Sequence, residues 1–322
     1  MRPEAVTSRQ TIVLVMLALA ALTAIAAFML VGAKGSWSFV LPFRGTKLLG
    51  LVLVATSVAV STVLFQAVTN NRILTPSIMG FDWLYVLIQT AVVFFLGTGA
   101  LTAIDPRLAF FVQVGVMMAF SLILFRWLFV DHERNLTLLV LVGIVFGILF
   151  RNLAGFMQRM LDPNQFQVLQ DSLFASFNTI DQTLLLVATL AVGGALALVW
   201  RYRHTYDVLA LGRAPAISLG LDYKRTVMII LGIIAVLVSV STALVGPVTF
   251  FGLLVASLAH QVVGNSRHRY VLPASVLLAI ICLVGGQTVL ERAFAFDTAL
   301  SIIIEFLGGI VFIVLILRRS AK

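Results

Sequence analysis

Apolar positions along this chain fall in long unbroken runs, not in the alternation of a half-buried strand or the single stripe of a surface helix. Ten runs stand out, at about 12–31, 47–67, 82–99, 108–130, 136–155, 182–200, 225–245, 250–264, 271–289 and 299–317. A helix needs about 20 apolar residues to cross a bilayer, and most of the runs reach that length. The pattern predicts an all-α polytopic membrane protein of about ten transmembrane helices, with residues 1–322 as one transmembrane domain. Run 250–264 is short and held between Gly246-Pro247 and Gly264-Asn265, which predicts a helix that tilts, breaks or lies inside the bundle. The first run exceeds the 7–15 residues of a signal-peptide core, so it too reads as a spanning helix. Two connecting stretches are longer than a turn requires, one at 156–181 and one at 201–224. The first mixes polar and apolar residues in the manner of a short interfacial helix. The second reads either as a solvated connector or as a short helix lying against the membrane.

Composition sharpens this picture. Of 322 residues 61% are hydrophobic and only 11% charged, against roughly 25% charged in a soluble domain. The net charge of +9 would suggest nucleic acid in a soluble protein, but here it is read first as topology. With the N-terminus cytoplasmic, 15 of the 22 Lys and Arg fall inside, and Lys34, Arg44, Lys47, Arg107, Arg151, Arg159 and Arg292 fall outside. This bias predicts both termini in the cytoplasm and a lipid bilayer, not nucleic acid, as the surroundings. The single cysteine, Cys282, lies in an apolar run and reads as helix packing.

Several chemistries have no signature here. There is no G-x-x-x-x-G-K-[ST] phosphate loop, no H-E-x-x-H and no G-x-S-x-G, so ATP hydrolysis by this chain and the commonest hydrolase classes are set aside. His132, His204, His260 and His268 are scattered along the chain, which predicts no metal site and no catalytic residue. Glu305 lies six residues into the last run, about 9 Å below its edge at 1.5 Å per residue. Such a carboxylate either lines a hydrated translocation pathway or hydrogen-bonds to a neighbouring helix. Gly143 and Gly147 form a G-x-x-x-G that admits close helix approach; they join Glu305 as candidate pathway positions, with structural packing as the plainer role.

Four stretches, in order, resemble one family. Gln66 through Gly80 (QAVTNNRILTPSIMG) resembles the Q-G-x-T-x-N-P-L-A-x-P-x-x-L-G segment of the FecCD/BtuC permeases, the membrane subunits of bacterial ABC importers for iron-siderophores, haem and vitamin B12. Leu211-Gly212 through Ser218-Leu219-Gly220 is similar to their coupling segment L-G-x-x-x-A-x-x-L-G, Gly246 through Leu253 to G-P-I-x-F-x-G-L, and Arg267 through Pro273 to the basic run before L-L-P. The resemblance implies a type II ABC importer permease fold with ten helices and both ends cytoplasmic, in a bacterial cytoplasmic membrane. It also implies a coupling helix that contacts an ATPase through Leu209, Leu211, Gly212, Arg213, Ala214, Ala216, Ser218 and Gly220. Arg44, Lys47 and Arg292 match the positions at which such permeases dock an extracytoplasmic siderophore-binding protein.

The function that the resemblance implies is transport of a ferric siderophore, with no cofactor on this chain and with ATP and Mg in two partner ATPase subunits. Haem or vitamin B12 as the cargo, and an ion-coupled secondary transporter, stand as alternatives. Where the family often has P-H-x-x-R, this chain reads Ala256-Ser257-Leu258-Ala259-His260, and Arg213 and Pro215 depart from the usual coupling segment. These departures resemble a siderophore branch that pairs with a different permease, so a heterodimer with a second FecCD-type chain is expected over a homodimer.

Overall fold

The computed structural model describes residues 3–32, 36–129, 136–174, 177, 181–264, 267–293, 302–304, 306 and 309–310. Among these the chain is helical with no strand. The long helices are α1 (Pro3–Leu30), α2 (Trp37–Thr69), α3 (Phe81–Leu96), α5 (Pro106–Phe129), α6 (Leu136–Arg159), α8 (Gln182–Arg201), α11 (Tyr223–Val245), α12 (Phe251–Val263) and α13 (His268–Ala293). Shorter pieces are α4 (Gly99–Ala103), α7 (Pro163–Leu173), α9 (Tyr206–Leu209) and α10 (Arg213–Ser218). Seven helices are long and apolar enough to cross a membrane, while α3 and α12 are apolar but shorter. In the tenth run, the described residues 302–304, 306 and 309–310 are helical; Glu305 lies outside the described residues.

The boundaries differ from the sequence reading where polar residues sit inside a helix. α2 is 33 residues long, about 50 Å at 1.5 Å per residue, and begins ten residues before the expected start at Lys47, running through Pro42 and Arg44. Pro42 falls in its second turn, where only one intrahelical bond is lost. α6 runs on to Arg159, and the stretch 156–181 holds α7, which starts at Pro163 and buries Leu169.

α2 and α11 form the inner pair. Their apolar spans are mostly buried, whereas α1 presents nearly all of its span outward. α11 packs on α2, α5 and α8; α13 packs on α1, α2 and α12; α3 packs on α6. Lipid is as apolar as leucine, so contacts between such helices depend on small residues and close fit. Two contacts show this. At Gly252 on α12, an added Cβ would lie against Thr62 Oγ1 and 3.2 Å from Val58 Cγ1 of α2. On α6, Gly143 and Gly147 receive the 3-10 turn Pro76–Met79 and the start of α3.

Both short helices follow a turn that folds back into the bundle. α12 has 13 residues, about 20 Å against a hydrocarbon core of about 30 Å. It starts after the turn at Gly246-Pro247 that ends α11. The turn before α3 and the turn before α12 meet beside the middle of α2, around a cavity of about 20 Å³. Non-helical backbone at this depth is stable because protein, not lipid, surrounds it.

Candidate functional site

The stretch Gln66–Gly80 is built as a turn that closes on itself. Asn70, in the left-handed region at φ 49, donates its N–H to Gln66 O, and the Gln66 amide donates to Arg72 O at 2.8 Å. Asn71 Oδ1 accepts the Ile73 N–H at 3.0 Å. Pro76 opens the 3-10 turn, and Gly80 ends it at φ +90. The residues that carry the family resemblance here therefore serve the turn geometry.

The cavity between the two turns is lined by Ser61, Thr62, Thr75, Ser77, Asp82, Ser241, Thr242 and Thr249 among others. It has room for about one water molecule. Asp82 is 7% exposed, a buried carboxylate that the hydropathy reading missed because it stood at the edge of run 82–99. A sequence signal existed in the charge two residues past the turn glycine, inside an otherwise apolar segment. Gly143 and Gly147 do not border this cavity; Met79 and Gly80 fill their face.

At one end of the bundle the stretch 201–224 forms two short helices instead of one, parted at Gly212 with φ +94. Inward-facing residues anchor it. Tyr206 is fully buried and its hydroxyl donates to Val199 O at 2.7 Å; burial pushes its pKa up and keeps it a donor. Leu209 and Ala216 are also buried, so of the eight residues expected to meet an ATPase these two face the protein. Gly212 is half-buried, while Leu211, Arg213, Ala214, Ser218 and Gly220 are exposed. Leu211, Ile217 and Leu219 are 59%, 50% and 65% exposed. All three are exposed apolar side chains of this one segment; Ile217 was not singled out in the sequence, and Leu219 only as part of the motif.

Asp207, on α9, reaches across to α13. Its Oδ1 accepts both the backbone N–H of His268 at 2.8 Å and the ring Nδ1 at 2.7 Å, and the His268 ring meets the Tyr206 ring edge-on. Hydrogen bonding from His268 holds the Asp207 carboxyl below the ordinary carboxylate range, outweighing its partial burial. A depressed folded-state pKa contributes stability above the unfolded value of about 3.9 that disappears as pH falls through the folded value. In thermal unfolding across pH 3–6, the wild-type midpoint should fall below about pH 4 more steeply than that of Asp207→Ala, the two curves running parallel above about pH 5. Beside this bond lies a cavity of about 390 Å³ lined by Gln66, Asn70, Arg72, Asp207, His260, Arg267 and His268 among others.

At the opposite end, the structure brings together Arg44, Lys47 and Arg292, and adds Glu291. A cavity of about 210 Å³ is lined by these four and Phe43. A docking surface calls for exposed charges, and of the three only Arg292 is exposed. Arg44 Nη1 donates to Phe28 O, Met29 O and Val31 O at 2.7, 3.2 and 3.1 Å, and Nη2 to Gly32 O at 3.2 Å. It thus satisfies the carbonyls left open at the end of α1, where a cation is also favoured by the helix dipole. Lys47 is largely covered and lies 3.8 Å from Glu291. Arg292 is exposed and donates to Val31 O. Arg44→Gln should cost about 1.5–3 kcal/mol, the range for hydrogen bonds to a charged group. Arg292→Gln should cost under about 1 kcal/mol because water competes there. The unfolding midpoint in detergent reads both.

A bundle of long apolar helices, two buried turns beside its inner pair, and an anchored segment with exposed apolar side chains at one end define a multi-pass membrane transport permease. The FecCD transport family profile matches residues 10–318, and this chain belongs to that family. It is 48% identical over 286 residues to the petrobactin import system permease protein YclO of Bacillus subtilis, covering 89% of this chain and 91% of that one. It is 24% identical over 283 residues to YclN, also named a petrobactin import permease in the same organism, covering 86% and 85%. The solved inward-facing structure of a metal-chelate type ABC transporter shares the fold, with a TM-score of 0.76 over 95% of this chain and 99% of that one at 22% identity.

Proposed function

We propose that this chain is the permease subunit of an ABC importer that carries a ferric siderophore of the petrobactin kind into the cytoplasm. The observation that carries the reading is 48% identity to YclO across nearly the full length of both chains. In this reading the α9–α10 end is cytoplasmic and the Arg44–Arg292 end faces outward, as the distribution of basic residues favours. Leu211, Ile217 and Leu219, with Arg213 beside them, form the contact with a separate ATPase subunit, which binds ATP and Mg. The buried Leu209 and Ala216 hold that surface in shape. The cluster of Arg44, Lys47, Glu291 and Arg292 receives an extracytoplasmic binding protein that delivers the chelate.

The second permease of the passage is a different FecCD-type chain. Support comes from Bacillus subtilis, where two chains carry the petrobactin permease name and this one is twice as identical to one as to the other. A chain that resembles one member of a pair fits a heterodimer with the counterpart of the other. Alternating access then arises from motion of the two permeases against each other. Co-expression with candidate ATPase and permease chains, followed by purification on a tag on this chain alone, tests the assembly. Recovery of both partners is the expected result, and purification of this chain by itself or as a homodimer without ATPase contradicts it.

A further inference from the structure

Polar bonds to other elements fix both ends of α13. At its start, the first backbone N–H belongs to His268 and is capped by Asp207 from α9, 61 residues earlier in the chain. At its far end, Glu291 lies by Lys47 of α2 and Arg292 donates to Val31 at the end of α1. The two ends are 24 residues apart, about 36 Å at 1.5 Å per residue. α2 spans a similar distance and packs on α9 at that end, but its last turn is closed by its own Gln66, and among the described residues no hydrogen bond joins it to α9. α13 is joined to α9 by the two bonds from His268 to Asp207. Pro273 lacks an N–H, so it leaves Arg269 O without an intrahelical donor and weakens the second turn. The cap from Asp207 is the polar fixture of this end, beside the packing of Tyr270, Val271 and Ala274 on α2 and α12. α13 also carries α1 along its outer side, and α1 ends at the Arg44–Arg292 cluster.

We propose that α13 is the strut through which motion of the α9–α10 segment reaches the Arg44–Arg292 cluster, with Asp207 and His268 as the positioning residues that join strut to segment. The proposal rests on the importer reading above. A rigid helix tied at both ends transmits displacement along its axis, whereas a helix tied at one end can be left behind. Binding-protein docking and ATPase movement are coupled through it in both directions, as linkage requires.

The test uses the complete assembly of this chain, its partner permease and the ATPase in proteoliposomes, and measures ATP hydrolysis with and without the binding protein. Asp207→Ala should lower the ratio of stimulated to basal hydrolysis about tenfold, a typical coupling loss, with the basal rate close to wild type. Asp207→Asn should keep most of the ratio, because its amide oxygen accepts the same two N–H donors. A wild-type ratio in Asp207→Ala overturns the proposal, and so does equal loss in the two variants. If Asp207→Ala does not assemble, His268→Phe removes the Nδ1 donor while keeping the backbone N–H and a ring against Tyr206, and a wild-type ratio there overturns it equally. Absence of binding-protein stimulation in the wild-type assembly fails the importer reading instead and is thereby distinguished.

Discussion

Gly80→Ala should destabilise the protein by about 3 kcal/mol and abolish most transport. Two costs add at this position. Gly80 has φ +90, where an L side chain meets its own carbonyl at a cost of about 1–2 kcal/mol. An added Cβ would also lie 2.8 Å from Gly147 Cα and 2.9 Å from Gly147 N, and backbone on α6 cannot rotate away as a side chain can. Overpacking of this kind costs about 1–3 kcal/mol. Gly147→Ala meets the same contact from the other side at 3.1 Å with an ordinary helical φ, so it should cost less. Gly155→Ala on the same helix has nothing within 4 Å and should leave stability unchanged or slightly raised. The unfolding midpoint in detergent ranks the three. Equal midpoints for Gly80→Ala and Gly155→Ala would show that the turn and α6 are not in contact.

The second large effect concerns association. Leu211→Asp combined with Leu219→Asp should weaken binding of the ATPase by more than about a hundredfold, since two central apolar anchors contribute about 2 kcal/mol each. Both side chains are more than half exposed, so insertion and the unfolding midpoint should be preserved. Leu209→Asp should behave in the opposite way, because Leu209 is buried and a carboxylate there disorders α9 before any partner arrives. Co-purification and unfolding measured together separate a lost contact from a lost fold. Full recovery of ATPase with the double variant would remove this surface from the proposed function.

Much of the fold was legible because hydropathy reports burial in lipid and in protein alike. Nine of the ten runs each fall on one long described helix, and the tenth is helical where described. The failures have a common cause. Arg44 read as loop and Lys47 as the first residue of its run, because charge reads as water, but inside α2 their charges are taken up by the open carbonyls of α1 and by Glu291. Asp82 was lost at a boundary for the same reason. In the α9–α10 stretch, the glycines and the motif located the segment. They did not separate the residues that face inward from those that face out, because in helices of four and six residues no periodicity develops. The Asp207–His268 bond joins positions 61 apart and leaves no trace in local pattern; only the fold brings the carboxylate to the helix start. Conversely, the G-x-x-x-G at Gly143 and Gly147 predicted close approach, and the structure supplies the partner, which is a 3-10 turn and the start of α3 instead of a whole helix.

In the proposed function, ATP drives import of a ferric siderophore through a passage that this chain helps to form. Uptake of radiolabelled iron as ferric petrobactin, in bacteria deleted for this chain and complemented with it, measures this directly, with ATP depleted in one arm and the proton gradient collapsed at constant ATP in another. Uptake should be restored by the chain, abolished without ATP and retained without the gradient. Uptake that tracks the gradient and not ATP, or no restored uptake of the ferric chelate, would contradict the proposed function.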